Sequence, residues 1–366
     1  MAKSEGREQE RSKRLLKASG RAVPDSDLTA NASEPSVSVV IPVLNEEKNL
    51  SELYRRLVAA LETVTRDFEI ILVDDGSTDE TRVRALEMHR QDRRVKLISL
   101  ARNFGHQLAQ TAGMDAASGR AIVQMDADLQ HPPEVIPELI ERWREGYDVV
   151  YTVRESTKKV PWLKRRLTLL AYAILRYMCE VDMIVDAADF RLVDRRAARA
   201  YRDCRELYRF NRGLFRWIGF RQTSVRYHQD ERFAGEAKYT FRQLLRLLLD
   251  GLFSFSSAPL RMFGKLGVAF AVLGGIYLTY GVAAFIFMPQ NSPPGWTSIA
   301  AAVIIMGGLQ MVGLWLIGEY LGRTYDESKN RPLYVVSETH GEFGERVRWH
   351  YPRQVEPTFD ETSVRK

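Results

Sequence analysis

Cysteine is nearly missing from this chain: two residues, Cys179 and Cys204, in 366. Two thiols cannot build a disulfide framework, and neither sits in the paired spacing of a zinc site. The chain therefore reads as a protein of a reducing compartment. Its first 34 residues lack the apolar run that a signal peptide needs. They are rich in charge, Ser, Ala and Gly, and read as a disordered basic tail over 1–34, with a short membrane-lying helix around Leu15 and Leu16 as the alternative. Long apolar runs are confined to the part after Thr240. The remaining composition, 45% hydrophobic and 27% charged, excludes a disordered or fibrous chain. The length implies two units, or one large domain with attachments.

From Ser36 onward, short apolar runs alternate with longer amphipathic ones. Val37–Val43, Phe68–Val73, Val95–Leu100, Ala121–Met125 and Tyr147–Val153 read as strands, and helices are expected to begin near Glu46, Asp79, Gly105 and Glu134. Pro137 is acceptable in a first turn. Such alternation predicts an α/β fold, a mostly parallel sheet covered on both faces, with ligands beyond the carboxyl ends of its strands.

The segment Phe241–Phe255 places Leu244, Leu245, Leu248 and Leu252 on one face and Arg242 and Arg246 elsewhere, as an interfacial helix over 240–262 would; a core helix is the alternative. Next, 266–288 carries no charge, and as a helix would measure roughly 34 Å against a hydrocarbon core of about 30 Å. A second uncharged run, 297–318, follows the turn-forming PQNSPPGW. Together they predict a transmembrane hairpin within 263–322, with buried helices of a soluble core as the alternative. Arg261 and Lys265 precede the first span, Arg323, Lys329 and Arg331 follow the second, and the connecting turn is uncharged. Positive-inside bias thus puts both termini, and a polar tail over 323–366, in the cytoplasm. Gly274, Gly275, Gly307 and Gly308 allow close helix approach, compatible with a homo-oligomer.

Charge is uneven too. Residues 154–226 hold 18 Lys or Arg against 8 Asp or Glu. Such a surface suits anionic lipid, phosphorylated ligands or nucleic acid, or is simply a solvated face. Two membrane spans and no recognition module argue against nucleic acid. In Pro161–Tyr172 cations interleave with apolar residues, as in a helix resting among headgroups.

Chemistry concentrates at strand ends. Asp126 and Asp128, in Met125-Asp-Ala-Asp-Leu-Gln-His-Pro-Pro133, are two carboxylates one residue apart after an apolar strand. Hard oxygen donors so few in number suit Mg²⁺ or Mn²⁺ held jointly with a diphosphate, and Gln130 can add a carbonyl ligand. Asp residues are also common in turns. Val73-Asp-Asp-Gly-Ser-Thr-Asp79 ends an earlier strand; Asp79 reads as a helix cap and Gly76 as a turn residue, which leaves Asp74 and Asp75 unexplained. Ile41–Glu47 closes the first strand. His106 reads as a cap or packing residue and His131 as the neighbour of a rigid turn.

The segments VSVVIPVLNEE, ILVDDGSTDET, ARNFGHQLAQTAG and DADLQHPPE occur in the order and spacing of inverting family 2 glycosyltransferases of GT-A fold, a resemblance spanning roughly Ser36 to Tyr239. Within that family ADFRLVDRRA at 188–197, FNRGLFRWIGFRQ from Phe210, ERFAGEAKY from Glu231 and the terminal hairpin resemble the polyprenyl-phosphate group, which includes dolichol-phosphate mannose synthase and the bactoprenol glucosyltransferases. The resemblance implies a GT-A domain over 35–239. It implies that Pro42, Leu44, Glu46, Asp75 and Asp126 line the nucleotide-sugar pocket. Asp126, Asp128 and Gln130 would be catalytic, with Asp128 and Gln130 on the metal. Arg154, Lys164, Thr168, Arg232 and Lys238 would receive the acceptor phosphate. The sugar implied is glucose from UDP-glucose, with GDP-mannose and UDP-amino sugars behind it. Leu44 stands where an aromatic is frequent, and Asp186–Asp189 replaces a Gly-containing turn. Gly213 occupies the Gln position of the Q-x-x-R-W signature of processive synthases, which disfavours polymer synthesis.

Overall fold

The computed structural model describes residues 36–155, 187–228, 258–287 and 295–344. Lys164, Thr168, Arg232, Lys238 and the stretch read as an interfacial helix up to residue 257 lie outside the described residues, as does the N-terminal tail.

Eight strands form one mixed sheet in the order β7-β5-β6-β4-β1-β2-β3-β8. The strands are β1 Val37–Val43, β2 Phe68–Asp74, β3 Val95–Leu100, β4 Ala121–Gln124, β5 Val149–Glu155, β6 Ala187–Asp194, β7 Gln222–His228 and β8 Val336–His340. β4, β1, β2 and β3 run parallel, β6 runs antiparallel between β4 and β5, and β7 is parallel to β5. The carboxyl ends of β1 to β5 and β7 therefore meet at one edge, where β6 begins.

The helices preceding the long pair are α1 Leu50–Glu62, α2 Thr81–Gln91, α3 His106–Ala116, α4 Ile136–Arg144, α5 Arg195–Asp203 and α6 Asn211–Trp217. In α1 the apolar residues recur at helical spacing, so Leu50, Leu53, Leu57 and Leu61 bury one stripe. The sheet is buried on both faces. One core joins α1 and α4 to Val39, Ile41, Ile70 and Leu72, and the other joins α3, α5 and α6 to Val40, Ile71, Val73 and Ile98. Alternation along each strand assigns the faces. A Cβ at Gly113 of α3 would overlap the Val40 side chain, so glycine there lets the helix sit close on the sheet.

Two long helices follow, α7 Ala258–Phe287 and α8 Trp296–Ser328. Among the described residues one stretch, Ala258–Tyr277, is long and apolar enough by composition to cross a membrane. Val268, Leu273, Ile276, Ile305, Leu314 and Trp315 on these helices are exposed. Among the described residues, nothing lies within 4 Å of where a Cβ would stand on Gly274, Gly275, Gly307 or Gly308, whereas Gly313 packs on Phe263.

The stretch read as a polar tail contributes to the sheet. Beyond α8, Leu333, Tyr334 and Val336 are buried, and β8 pairs antiparallel with β3. The polar run Val336-Ser-Glu-Thr-His340 hides its strand character because only its first residue enters the core.

Candidate active site

Three turns at the carboxyl edge are stitched together. The turn after β1 places Asn45 in the left-handed region (φ 57°), which Asn tolerates. Asn45 Oδ1 accepts from Thr78 N at 2.9 Å, and its own N–H donates to Ser77 Oγ at 3.1 Å, tying this turn to the one after β2. Pro42 lies in β1 opposite Val73, two residues past the last β4 pairing at Val40, so the strand loses no ladder bond to β4 there. Leu44 and Glu46 are half-buried beyond the strand end. Glu46 Oε2 accepts from Asn49 Nδ2 at 2.5 Å, and Glu46 N–H donates to Thr81 Oγ1 at 2.8 Å.

The two aspartates left unexplained by sequence have structural partners. Asp74 Oδ1 accepts from Ser77 N at 2.9 Å. Asp75 accepts from Phe104 N at 2.7 Å and Gly105 N at 3.0 Å, pinning the turn that starts α3. Burial raises the Asp75 carboxyl above its ordinary range despite those two amides.

After β4 the acidic turn is strained: Leu129, 1% exposed, adopts φ 60°. A buried Leu in that region is unusual and is held there by its surroundings. Asp128 Oδ1 accepts from Gln130 N at 3.1 Å. Asp126 lies between two imidazoles, Oδ1 3.2 Å from His106 Nε2 and Oδ2 3.6 Å from His131 Nδ1. Burial would lift the Asp126 carboxyl, but these two rings overcome it and hold it below its usual value. His106 is driven the other way: burial opposes its charge, yet Asp126 foremost, then Asp189 and Asp75, raise it to about 9. His131 is 1% exposed and stacks on Phe190 with ring centroids 5.3 Å apart; burial lowers its pKa, with the Arg154 charge adding to that and Asp126 opposing.

The remaining edge is basic. Arg154, at the end of β5, donates from Nε to Tyr227 Oη at 3.3 Å and stands opposite Tyr227 in register. β6 starts at this edge with Asp189 and Arg191 on one face. Arg191, wholly buried, donates to Asp189 at 2.7 Å, and Arg212 of α6 grips the same carboxylate at 2.9 and 2.7 Å.

The structure thus brings together Pro42, Leu44, Glu46, Asp75, Asp126, Asp128, Gln130 and Arg154 at one edge. Sequence reasoning did not foresee that His106 and His131 flank Asp126, nor the pairing of Asp189 with Arg191 and Arg212. The signal for His106 was available: a His opening a helix beyond a strand, facing the edge that carries the acidic turn.

As for a cation, Asp126 Oδ1 is a buried hard oxygen that, among the described residues, faces the His106 imidazole at 3.2 Å without a hydrogen bond of good geometry. Among the described residues no three His, Cys, Asp or Glu side chains form a metal cage. The donor set therefore fits a divalent ion completed by ligand oxygens, not one held by protein alone.

Residues 38–202 match the model of glycosyl transferase family 2. An uncharacterized glycosyltransferase of Synechocystis sp. is 41% identical over 305 residues, 83% of this chain and 96% of that one. The chain belongs to glycosyltransferase family 2. The bactoprenol glucosyl transferase of Shigella phage SfV is 34% identical, over 82% of this chain and 97% of that one. The prophage bactoprenol glucosyl transferase homolog of Escherichia coli is 35% identical, over 82% and 98%. Among solved structures, glucosyl-3-phosphoglycerate synthase of Mycobacterium tuberculosis with Mn²⁺, UDP and phosphoglyceric acid aligns at TM-score 0.42 and 17% identity, over 64% of this chain and 81% of that one. That likeness is too remote to bear on the site.

Proposed function

We propose that this glycosyltransferase, a GT-A catalytic domain on a membrane hairpin, moves a single glucose from UDP-glucose to polyprenyl phosphate with inversion, at the cytoplasmic face of the inner membrane. The observation that carries the reading is the joining, in one chain, of an acidic strand-end site to two long helices whose apolar side chains are exposed. Such exposure on a water-soluble surface would be a liability, and in a bilayer it is ordinary. The names of the bactoprenol relatives support a lipid-phosphate acceptor. The charge bias around α7 and α8 favours cytoplasmic termini. The open glycine positions on these helices leave room for a homo-oligomer.

In this reading Asp128 and Gln130, with Asp126 beside them, hold Mg²⁺ or Mn²⁺ together with the donor diphosphate. That ion, when bound, supplies charge neutralisation to the leaving group. Pro42, Leu44, Glu46 and Asp75 shape the nucleoside side, and Asp75 also keeps the neighbouring turn in place. Arg154, Lys164, Thr168, Arg232 and Lys238 receive the acceptor phosphate. The second ionisation of a phosphate monoester lies at a pKa of about 6, so the attacking oxygen is largely deprotonated at neutral pH. The protein's task is then alignment and charge placement, not proton removal.

The test is incubation of membranes bearing the protein with radiolabelled UDP-glucose and undecaprenyl phosphate, followed by organic extraction. Label should enter the lipid phase. Label in a water-soluble polymer, or none with UDP-glucose but transfer from GDP-mannose or a UDP-amino sugar, would replace the acceptor or the donor assignment respectively.

A further inference from the structure

The proposed function assigns no task to His131, a polar side chain only 1% exposed. It stands at the far end of the acidic turn and closes it. Met125 N–H still follows the sheet, donating to Val40 O at 3.1 Å, but the next amide, Asp126 N–H, donates to His131 Nδ1 at 3.1 Å. Between these two partners lie Asp128, Gln130 and Leu129 with its φ of 60°, so the bond buckles a loop that is under backbone strain. Pro132 and Pro133 follow at once and stiffen the exit.

The buckle is itself held. A ring nitrogen that accepts from an amide carries no proton, which leaves the His131 proton on Nε2. Asp126 Oδ2, 3.6 Å from the same Nδ1, is beyond hydrogen-bond reach. The ring stacks on Phe190 of β6, with centroids 5.3 Å apart and planes 22° from parallel, and Tyr227 of β7 meets it edge-on at 6.2 Å and 71°. Phe190 and Tyr227 also meet each other edge-on at 6.0 Å, in the core that holds α1 and α4. Through this imidazole the turn after β4 leans on β6 and β7. We propose that His131 is a positioning residue of the donor site: its Nδ1, fixed by the two aromatic rings, holds closed the loop that presents Asp128 and Gln130. This rests on the proposed role of that loop in holding the donor diphosphate with Mg²⁺ or Mn²⁺. It gives His131 no contact with the reactants and no part in proton transfer. A ring that merely filled space would be replaced well by a phenyl group and badly by a smaller side chain. A buckle reverses that order.

The order is read on the full chain in detergent, with thermal unfolding as a folding control. His131→Phe keeps a ring and loses the acceptor, whereas His131→Asn gives up most of the ring and offers Oδ1 in the place of Nδ1. His131→Phe should weaken binding of UDP with Mn²⁺, followed by calorimetry, by about tenfold, as expected for one lost hydrogen bond and a loosened loop. Its kcat should fall by a similar factor while KM for a short-chain polyprenyl phosphate stays within about twofold, because acceptor binding does not depend on the loop. His131→Asn should hold UDP within about threefold of wild type even with a lower unfolding midpoint, since the accepting atom is restored. In metal-free wild type labelled with ¹⁵N-histidine, the resonances lost in His131→Asn should show an unprotonated Nδ1 and a protonated Nε2 at neutral pH. The inference is overturned if folded His131→Phe binds UDP with Mn²⁺ as wild type does, if His131→Asn weakens it as much as His131→Phe, or if Nδ1 carries the proton. Should His131→Phe fail to fold, retained UDP affinity in His131→Asn together with an unprotonated Nδ1 supports the buckle, and loss of either overturns it. If wild type binds UDP with Mn²⁺ yet moves no sugar to polyprenyl phosphate, the proposed function falls while the affinities and the tautomer still decide this inference; if wild type does not bind UDP with Mn²⁺, both fall.

Discussion

At the scale of single residues, Asp126 and Asp128 sit one position apart in different electrostatic settings. Asp126 is flanked by two imidazoles, while Asp128 closes its own turn onto Gln130. Because an Asn amide oxygen can accept the same bond from Gln130, Asp128→Asn should fold normally. It removes a hard anionic ligand, so transfer should fall by about 100-fold or more, measured as label entering lipid at saturating Mg²⁺ or Mn²⁺. Near-normal turnover would take Asp128 out of the ligand set. His106 offers a test that needs no substrate. Its pKa is raised from 6.5 to about 9, so the folded state holds the proton more tightly than the unfolded one. The resulting stabilisation is complete below about pH 6.5 and is lost as pH climbs through about 9. The ring is 40% exposed, and solvent screening limits the effect to about 1 kcal/mol. In metal-free buffer the stability difference between wild type and His106→Gln should therefore shrink from pH 6 to pH 9.5; a difference independent of pH would mean that His106 packs without carrying charge.

At the scale of elements, α3 connects the site to the rest of the molecule. It opens at His106 beside Asp126, and near its other end Asp115 accepts from Arg205 and from Tyr334, both at 2.7 Å. Its closeness to the sheet depends on Gly113. Gly113→Ala pushes a methyl group into Val40 on β1 and should cost about 1–3 kcal/mol, read as a lowered unfolding midpoint. Activity should fall further than stability alone explains, since any displacement of α3 moves His106. An unchanged midpoint would show that α3 relaxes freely. Elements of this kind were legible from sequence where patterning is strong. β1 and β3 have the bounds read from the apolar runs, while β2 and β4 differ by one residue at an end, because buried parallel strands are continuous apolar stretches. Helix starts drifted: α1 begins at Leu50, not near Glu46, since the intervening residues are spent on the turn that Glu46 and Asn49 build. The acidic turn was legible because its residue types leave few structural explanations. The Asp189 cluster was not, for a carboxylate shared by arginines 2 and 23 positions away has no local pattern. β8 was hidden for a different reason, its polar sequence belonging to a strand at the sheet's edge.

At the scale of the whole molecule, that strand changes how the chain hangs together. The catalytic sheet is not finished before α7 and α8; it is completed by residues that follow them. α8 ends against the catalytic domain, with Tyr208 Oη donating to Asp326 at 2.6 Å, Leu207 N–H to Glu327 at 2.7 Å, and the Arg323 guanidinium 4.6 Å from the Tyr208 ring centroid. The chain then buries Leu333, Tyr334 and Val336 and pairs β8 with β3. Burial of each such side chain contributes about 1.5–3 kcal/mol, a large share of the roughly 5–15 kcal/mol that keeps a domain folded. Without them β3 becomes an open edge whose backbone groups invite pairing with another chain. A stop codon after Ser328 should therefore leave α7 and α8 intact while the catalytic domain unfolds or aggregates, seen as loss of detergent-soluble protein and of UDP binding. Tyr334→Phe is the milder arm: Asp115 keeps Arg205, so the loss should be about 1 kcal/mol with transfer retained. If the chain ending at Ser328 stays soluble and binds UDP like the full protein, β8 is an ornament on a sheet complete without it, and folding of the catalytic domain does not wait for the helices that precede its last strand.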